Sequence, residues 1–342
     1  MDNQLRTFLK ILIGGRDLSE DEAGKFFALL QSETENENLL AAALIALEAK
    51  GATAEEIYAM AKIMRSRCVK VKSENEIFVD LVGTGGSQVK TFNVSTAAAF
   101  VIAGAGVAIA KHGNRAATSS SGSADVLAEL GVNVAVEAEI AEKCLNEIGI
   151  CFLFAPKFHS LSPVLAKVRR EIGVPTIFNL LGPICNPADA PHQVIGVWRK
   201  DLVETTARVL AVLGAKKTWI VHGSDGLDEI TLNGATFVAE VADGNVKQFE
   251  ISPNDFGLRN SALENLCVFT PAESANLIRE ILGGETANET ARNLVLINAA
   301  AAIYVSGKTE NLMDAFDLAK ESLESGKALR KLESLIAKTK EN

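Results

Sequence analysis

Cysteine is scarce and unpatterned in this sequence. The five cysteines are odd in number and show none of the C-x-x-C spacing of zinc sites or redox motifs. They stand at positions 68, 144, 151, 185 and 267. This argues against a disulfide or zinc framework, and a chain of 342 residues can bury a sufficient core without one. We therefore expect reduced thiols, as in cytoplasmic proteins.

Long hydrophobic runs are also missing, although 48% of the residues are hydrophobic. The longest apolar runs, 96–110 and 294–305, are too short or are interrupted by glycine, so neither fits a bilayer-spanning helix. The first residues, Met1-Asp2-Asn3-Gln4, lack the pattern of a signal peptide. The sequence predicts a soluble, cytoplasmic protein with no membrane partner.

Positive charge is in deficit. The chain has 34 Lys and Arg against 43 Asp and Glu, which gives a net charge of −9. Non-specific nucleic-acid binding needs a broad basic surface, so that class of function is disfavoured. Anionic substrates would need local cations or a metal ion.

The most informative stretch combines a strand, a glycine-rich loop and a helix. Residues 77–82 are β-branched and apolar, which is typical of a buried strand, and Gly83-Thr84-Gly85-Gly86-Ser87 follows directly. Glycines let the main chain approach a ligand closely. Asn93 or Ser95 can cap the next helix, whose free N–H groups would favour a phosphate. Taken alone, this loop could equally be a tight turn without a ligand.

A second polar loop follows the next predicted strand, 106–110. Lys111-His112-Gly113-Asn114-Arg115 comes directly after it, and the serine-rich segment 118–123 leads into another helix. Ligands of open α/β sheets collect outside the carboxyl ends of the strands. A solvated loop would explain either segment by itself, but two such loops at successive strand ends predict a shared pocket.

Charged residues elsewhere could complete that pocket. Asp228 and Glu229 follow a predicted strand, where adjacent carboxylates can hold Mg²⁺; a solvated acidic turn is the alternative. Arg169 and Arg170 are adjacent. A guanidinium in a cleft is a natural bidentate partner for a carboxylate, although an exposed basic helix face would also explain this pair.

The periodicity predicts an α/β protein, with a small all-helical N-terminal domain and a larger α/β domain around a central, mostly parallel sheet. Residues 1–70 show only helical patterns, with capping boxes beginning at Ser19 and Thr53. From residue 77 onward strands alternate with helices, which is typical of a parallel sheet. Strands are predicted at 77–82, 106–110, 132–136, 150–154, 193–198 and 217–222, with an antiparallel pair at 236–241 and 246–251.

Taken together, these segments resemble the anthranilate phosphoribosyltransferase family of tryptophan biosynthesis, within the nucleoside phosphorylase/phosphoribosyltransferase-like superfamily. The resemblance covers essentially the whole chain, in the family's order and spacing. The matching segments are GTGG at 83–86, NVST at 93–96, KHGNR at 111–115, SGSADVLAELG at 121–131, VRRE at 168–171, TIFNLLGP at 176–183, NPA at 186–188 and DGLDE at 225–229.

The resemblance implies transfer of the phosphoribosyl group from phosphoribosyl pyrophosphate to anthranilate, with Mg²⁺ as cofactor. It also implies a cytoplasmic homodimer formed through the helical domain. The domains would comprise residues 1–72, joined by a returning segment at about 168–190, and residues 73–167 with 191–342. No catalytic base or triad is expected, because an aryl amine is already neutral at pH 7 and positioning with electrostatics is what the reaction needs.

The resemblance also implies the site residues. Phosphoribosyl pyrophosphate is expected at Gly83, Thr84, Gly85, Gly86, Ser87, Thr91, Asn93, Ser95, Thr96, Lys111, Asn114 and Ser123. Anthranilate is expected at Gly83, His112, Asn114, His159, Arg169, Gly182 and Pro183. Mg²⁺ is expected at Ser95, Asp228 and Glu229.

Three segments depart from the family's usual pattern. Ser87 replaces the aspartate of GTGGD, which bears on a second metal ion. Ser160-Leu161-Ser162 replaces Pro-Ala-Met, and Pro175 replaces an arginine, both on the acceptor side.

Two other functions remain open. A pyrimidine-nucleoside phosphorylase would share this architecture but would need a nucleobase pocket, which segments 114–125 and 168–171 fit poorly. A non-catalytic paralogue that binds nucleic acid is disfavoured by the net charge of −9 and by the presence of Asp228 and Glu229.

Overall fold

A computed structural model gives the architecture and describes residues 2–32, 36–87, 89–116 and 121–341. Within these residues fifteen α-helices surround one seven-stranded sheet. The helices are α1 Asp2–Ile13, α2 Glu20–Leu30, α3 Glu37–Lys50, α4 Ala54–Arg67, α5 Val94–Gly104, α6 Ser123–Glu129, α7 Ala138–Lys143, α8 Ala155–Phe158, α9 Pro163–Ile172, α10 Ile177–Ile184, α11 Asp201–Val212, α12 Pro271–Gly283, α13 Glu289–Val305, α14 Leu312–Glu324 and α15 Lys327–Lys338. The strands are β1 Phe78–Gly83, β2 Ala108–Gly113, β3 Ile150–Phe154, β4 His192–Gly196, β5 Lys217–Gly223, β6 Thr236–Ala242 and β7 Asn245–Ile251.

The N-terminal segment is helical, as its periodicity predicts. The Ser19 side chain accepts a hydrogen bond from the N–H of Glu22, and the Glu22 carboxylate accepts one from the N–H of Ser19. Thr53 and Glu56 form the same reciprocal pair at the start of α4. These two capping boxes satisfy N–H groups that a helix start otherwise leaves unpaired, which confirms both predicted helix starts.

The sheet has the order β3-β2-β1-β4-β5-β6-β7. Strands β1 to β5 pair in parallel, and β6 and β7 are antiparallel. The hairpin between β6 and β7 turns at Asp243 and Gly244, both with positive φ, which confirms the predicted antiparallel pair. The predicted fold class, a helical part with a mostly parallel sheet, is therefore confirmed.

Alternate residues of the strands face two different hydrophobic cores. Leu81 and Val194 face a core with α5 and α12 to α15, whereas Val82 and Ile195 face a second core. That second core also contains the buried faces of α1 to α4 and of α9 to α11. The sheet is thus covered on both faces, as parallel sheets require, and the N-terminal helices pack on one side of it.

Two predictions about strands are wrong. Residues 132–136 pair with no strand; Val132, Val134 and Val136 are buried in a loop, so their alternation reflects packing rather than a ladder. Strand β2 begins at Ala108 and runs to Gly113, where it pairs with Phe154 of β3. Lys111 and His112 therefore lie inside the strand, at its carboxyl end, and not in a loop after it.

In the described residues, no helix is long and apolar enough to cross a membrane.

Candidate active site

The carboxyl ends of β1 and β2 and the loop after β5 open onto one cavity of about 260 Å³. The carboxyl ends of adjacent parallel strands share an edge of the sheet, so loops distant in sequence meet there. Residues of α9 and α10 form the opposite wall. The cavity therefore lies between the sheet edge and the segment that packs with the N-terminal helices.

The glycine loop takes a conformation that suits glycine. Gly85 and Gly86 have φ of +71° and +85°, a region that other residues rarely adopt. The N–H of Gly85 donates to the Asp228 carboxylate at 2.8 Å. The single Ser87 hydroxyl proton is shared between the main-chain carbonyl oxygens of Val89 and Gly226, each 2.9 Å from Oγ. Ser87 thus fastens this loop to the loop after β5.

Helix α5 points its N-terminus at the cavity, but the predicted side-chain cap is absent. Asn93 occupies the N-cap position without a capping hydrogen bond. Its side-chain amide oxygen Oδ1 instead accepts hydrogen bonds from the hydroxyls of Ser121 and Ser274, at 2.6 Å and 2.9 Å. The N–H of Ser95 donates to the Glu229 carboxylate at 3.0 Å. The helix start is therefore oriented toward negative charge, as the helix dipole favours.

Asp228 and Glu229 form an adjacent carboxylate pair with no salt-bridge partner within 4 Å among the described residues. Burial raises the pKa of Asp228, and burial followed by the charge of Asp228 raises the pKa of Glu229 to about 8.

Two glycines make room for the loop that carries Asp228. A Cβ on Gly196 would lie 1.7 Å from the Asp228 carbonyl oxygen, and one on Gly83 would lie 2.9 Å from its carboxylate.

The Lys111 ammonium is buried beside these carboxylates. It donates to the Leu81 carbonyl at 2.7 Å and to the Ser95 hydroxyl at 3.3 Å. Burial lowers the pKa of Lys111 to about 8, and the charges of Asp80 and Glu229 oppose this shift. The Lys111 ammonium and the carboxyl groups of Asp80 and Glu229 are therefore close together in a desolvated space.

Asp80, on β1, is a fully buried carboxylate that no sequence motif identifies and that does not line the cavity. It accepts hydrogen bonds from the N–H of His112 at 3.2 Å and from the Asn186 amide at 2.7 Å. Burial raises the pKa of Asp80 to about 6, with Lys111 acting in the opposite direction. The signal was present in the sequence, because a lone aspartate in an apolar strand needs polar partners.

Two histidines lie edge to face at the other end of the cavity. The rings of His112 and His159 have centroids 5.1 Å apart. Burial lowers the pKa of His112 to about 3, with His159 as the next cause, and lowers the pKa of His159 to about 4. Among the described residues, Nε2 of His112 and both ring nitrogens of His159 have no hydrogen-bond partner. Neutral rings with unpaired nitrogens can form hydrogen bonds with a polar ligand.

Arg169 and Arg170 are adjacent in sequence but lie in different environments. The half-buried Arg169 lines the cavity, with its guanidinium over the Phe178 ring at 5.1 Å, whereas Arg170 is exposed. No carboxylate of the described residues lies within 4 Å of Arg169, and Glu171 instead lies 3.9 Å from Lys167. Burial lowers the pKa of Arg169 to about 10, and its Nε has no partner among the described residues. An anionic ligand would satisfy this guanidinium.

The cavity brings together nearly all residues predicted for the site. Those that line it are Gly83, Thr84, Gly85, Gly86, Ser87, Thr91, Asn93, Ser95, Lys111, His112, Asn114, Ser123, His159, Arg169, Gly182, Pro183, Asp228 and Glu229. Thr96 is buried in the first turn of α5 and does not line the cavity. Thr118, Ser119 and Ser120 of the serine-rich segment lie outside the described residues.

The donor set fits a magnesium ion that is also held by a substrate. No three His, Cys, Asp or Glu side chains in the described ranges converge to hold a metal ion by themselves. Two carboxylates with one hydroxyl nearby match Mg²⁺, which takes one or two carboxylates and completes its shell with water and phosphate oxygens. A divalent cation would also offset the burial that raises the pKa of Asp228 and Glu229.

Family models and curated relatives match nearly the whole chain. The family model described as "Glycosyl transferase family, a/b domain" matches residues 75–329, and "Glycosyl transferase family, helical bundle domain" matches residues 6–68. An anthranilate phosphoribosyltransferase of Clostridium kluyveri is 44% identical over 332 residues, which is 97% of this chain and 98% of that relative.

Two solved structures cover the same length. Anthranilate phosphoribosyltransferase from Thermus thermophilus has a TM-score of 0.89 at 39% identity and covers 98% of this chain and 99% of its own. The Saccharomyces cerevisiae protein in complex with PRPP and Mg has a TM-score of 0.89 at 30% identity, covering 99% and 98%. From the sequence identity, the coverage and the shared fold, the chain belongs to the anthranilate phosphoribosyltransferase family.

Proposed function

We propose that the protein transfers the phosphoribosyl group from phosphoribosyl pyrophosphate (PRPP) to anthranilate. The products would be N-(5-phosphoribosyl)anthranilate and pyrophosphate, in tryptophan biosynthesis. The observation that carries the proposal is one cavity with a carboxylate pair and a glycine loop at one end and, at the other, Arg169, which has no carboxylate partner among the described residues. One end of such a cavity suits a polyanionic donor substrate, and the other suits an acceptor substrate that carries a carboxylate.

The donor side that we propose is built on main-chain N–H groups and the Lys111 ammonium. The loop Gly83–Ser87, the start of α5 at Asn93 and Ser95, and Lys111 would bind the phosphates. The PRPP contacts that we propose are completed by six other lining residues, namely Thr84, Gly85, Gly86, Thr91, Asn114 and Ser123. Thr96 does not line the cavity, so its role would be indirect, through the first turn of α5. Mg²⁺ held by Asp228, Glu229 and Ser95 would supply charge neutralisation for the pyrophosphate.

The acceptor side consists of His112, His159 and Arg169, with Gly83, Asn114, Gly182 and Pro183 nearby in the cavity wall. The planar guanidinium of Arg169 would bind the carboxylate of anthranilate by two parallel hydrogen bonds. The neutral imidazoles would contact its amine. This arrangement would hold the amine near C1 of the ribose while the loops hold the leaving group.

Positioning and electrostatics are sufficient for this reaction. C1 of the ribose becomes oxocarbenium-like as pyrophosphate departs, and the N–H groups of the loop and of α5 stabilise charge on the leaving group. The aryl amine attacks as a neutral nucleophile and loses its proton afterwards. No strong base is needed, in accord with two histidines whose pKa values lie well below 7.

The histidines provide a test of the acceptor end. Because burial lowers both pKa values, to about 3 and about 4, we expect both rings to remain neutral between about pH 5 and 8. Their ring signals in NMR spectra should not titrate in this range; His112→Gln and His159→Gln variants would assign them. An inflection near the ordinary histidine value in either signal would contradict a desolvated, neutral acceptor end.

Ser87 provides a test of the metal requirement. An aspartate at this position would add a carboxylate to the donor end, so we expect Ser87→Asp to lower the Mg²⁺ concentration for half-maximal rate by roughly three- to tenfold. Ser87→Ala is the control, because it loses the same hydrogen bonds to Val89 and Gly226 without adding a carboxylate. An unchanged Mg²⁺ titration in Ser87→Asp would mean that position 87 only shapes the turn through Val89 and Gly226.

An assay of pyrophosphate release from PRPP tests the proposed function. The purified protein is given anthranilate, 3-aminobenzoate or 4-aminobenzoate, each with Mg²⁺, and we expect turnover with anthranilate to exceed that with the other two. A parallel assay with thymidine or uridine and phosphate tests the phosphorylase alternative. Phosphorolysis without pyrophosphate release would overturn the proposal.

We also propose the organisation that the sequence implied. Residues 1–72 would form the helical domain, completed by a returning segment at about 168–190, and 73–167 with 191–342 would form the α/β domain. We further propose a cytoplasmic homodimer formed through the helical domain. Ile13 and Ile45, which are 73% and 41% exposed on α1 and α3, support an interface there. Light scattering should give about twice the monomer mass of 36.3 kDa, and Ile13→Glu with Ile45→Glu should reduce it toward one.

A further inference from the structure

Asn179 connects the two ends of the cavity. It lies in the first turn of α10, and its side-chain NH₂ donates to the Thr84 carbonyl at 3.1 Å. Its side-chain oxygen accepts from the N–H of Thr176 at 3.1 Å and from Nη2 of Arg169 at 3.5 Å. One amide group therefore contacts both the acceptor arginine and the main chain of the glycine loop.

A second contact brings the same two segments together. A Cβ placed on Gly86 would lie 2.5 Å from Cγ of Pro175, so this proline packs directly on the glycine loop. The segment from Pro175 to Asn179 thus lies against the loop Gly83–Ser87 through one apolar and one polar contact. The segment from Pro175 to Asn179 therefore contacts both the glycine loop and Arg169.

An amide is the side chain that suits both contacts. Asparagine donates through its NH₂ and accepts through its oxygen at the same time, whereas an aspartate can only accept. It also accepts from Arg169 without neutralising the guanidinium. The charge of Arg169 remains available because, among the described residues, no carboxylate lies within 4 Å of it.

We propose that Asn179 is a positioning residue, which fixes the Arg169 guanidinium relative to the PRPP loop through the Thr84 carbonyl. This inference rests on the proposed function, since it assigns Arg169 to the carboxylate of the acceptor. Asn179 itself would touch neither reacting atom. It would align the two substrates for in-line displacement, where small errors in position are costly.

Two substitutions at this position distinguish positioning from a merely structural role. Asn179→Asp keeps the acceptor for the Thr176 N–H, and a carboxylate in the first turn favours a helix. It would also pair with Arg169 and lose the donor to Thr84. We therefore expect kcat/KM for anthranilate to fall by roughly a hundredfold in Asn179→Asp and by roughly tenfold in Asn179→Ala. A structural role predicts the opposite order, with Asp close to wild type and Ala impaired.

The Arg169→Ala background supplies the decisive comparison. If Asn179 acts through Arg169, the difference between Asp and Ala at position 179 should shrink to about twofold or less in this background. Asn288→Ala is the matched control, because Asn288 caps α13 by accepting from the Ala291 N–H and does not line the cavity. Its kcat/KM should stay near wild type at a similar loss of thermal stability.

The outcomes separate the inference from the function on which it rests. An active wild type with the same tenfold and hundredfold losses in both backgrounds would overturn the positioning role alone. Wild-type protein that releases no pyrophosphate with anthranilate would overturn the proposed function and this inference with it. Thermal unfolding of each variant identifies losses that arise from misfolding; if Asn179→Ala is unstable, the Asp variant in the two backgrounds gives the answer.

Discussion

Asp228→Asn combined with Glu229→Gln is expected to reduce turnover by roughly a thousandfold or more, since a catalytic metal ion supplies several kcal/mol of charge stabilisation. The two carboxylates lie together in the loop after β5, with Asp228 at 2.8 Å from the N–H of Gly85 and Glu229 at 3.0 Å from that of Ser95. The amides keep the size and the ability to accept these hydrogen bonds. The loss would therefore be of charge and metal binding rather than of shape.

The same double variant is expected to be more stable than the wild type in the absence of metal near neutral pH. The pKa of Glu229 is raised to about 8 in the folded state, from an ordinary value of 4.5. A raised carboxyl pKa contributes stability that is fully present below about pH 4.5 and is lost as the pH rises through about 8. Glutamine does not titrate, so the variant should lose less stability across this range.

Thermal unfolding with chelator, at several values between about pH 5 and 8, measures this difference. Added Mg²⁺ should raise the Tm of the wild type more than that of the variant, because only the wild type keeps both carboxylates. Asp225→Asn is the control in the same loop. Asp225 accepts from the Leu227 N–H and the Thr231 hydroxyl and does not line the cavity, so most of the metal-dependent activity should remain.

Two results would contradict this assignment. Wild-type rates in the double variant would show that the carboxylates are not needed for turnover. Full activity of the wild type in excess chelator would show that no exchangeable metal ion takes part. Neither result would bear on the assignment of Arg169 to the acceptor substrate.

Local signals in the sequence were sufficient for most elements of the fold. The capping boxes at Ser19 and Thr53 lie within four residues, and the hairpin at Asp243 and Gly244 depends on adjacent residues. The error at 132–136 has a different origin, because alternating valines can be buried in a loop without pairing with any strand. Pairing is a tertiary property, and β-propensity does not include it.

At the site, too, local features can be predicted from the sequence, whereas contacts between distant residues cannot. Glycine and polar clusters correctly predict the loops after β1 and β5, whereas Lys111 and His112 lie inside β2 and not in a loop after it. The cavity brings all three segments together. Asn179, Asp80 and Gly196 were missed because their roles depend on contacts with residues about a hundred or more positions away or on space for a neighbouring loop. The sequence predicts Asn93 or Ser95 as the cap of α5. Ser95 lies inside the helix, and Ser121 and Ser274 compete for the Asn93 side chain. Such competition is not visible in a helix-start pattern.

Arg169→Ala is expected to lower kcat/KM for anthranilate by roughly ten- to a hundredfold, while the KM for PRPP stays within about threefold. The guanidinium is half-buried and stacked on Phe178, and no carboxylate of the described residues lies within 4 Å of it. Its loss would leave the acceptor carboxylate unpaired in a desolvated space, at a cost of about 1–3 kcal/mol. The phosphates would still be held by the loop Gly83–Ser87 and by Lys111. Steady-state kinetics with each substrate varied in turn measure the two effects separately.

Arg170→Ala is the matched control, because the neighbouring arginine is exposed and does not line the cavity. It removes the same charge from the same helix turn, so a general electrostatic effect on anionic substrates would appear in both variants. Arg169→Lys should restore only part of the loss, since an ammonium lacks the planar fork that matches a carboxylate. Equal effects at positions 169 and 170, or normal use of anthranilate by Arg169→Ala, would mean that the acceptor carboxylate binds elsewhere. A loss confined to position 169 and to the acceptor would place the carboxylate on this arginine.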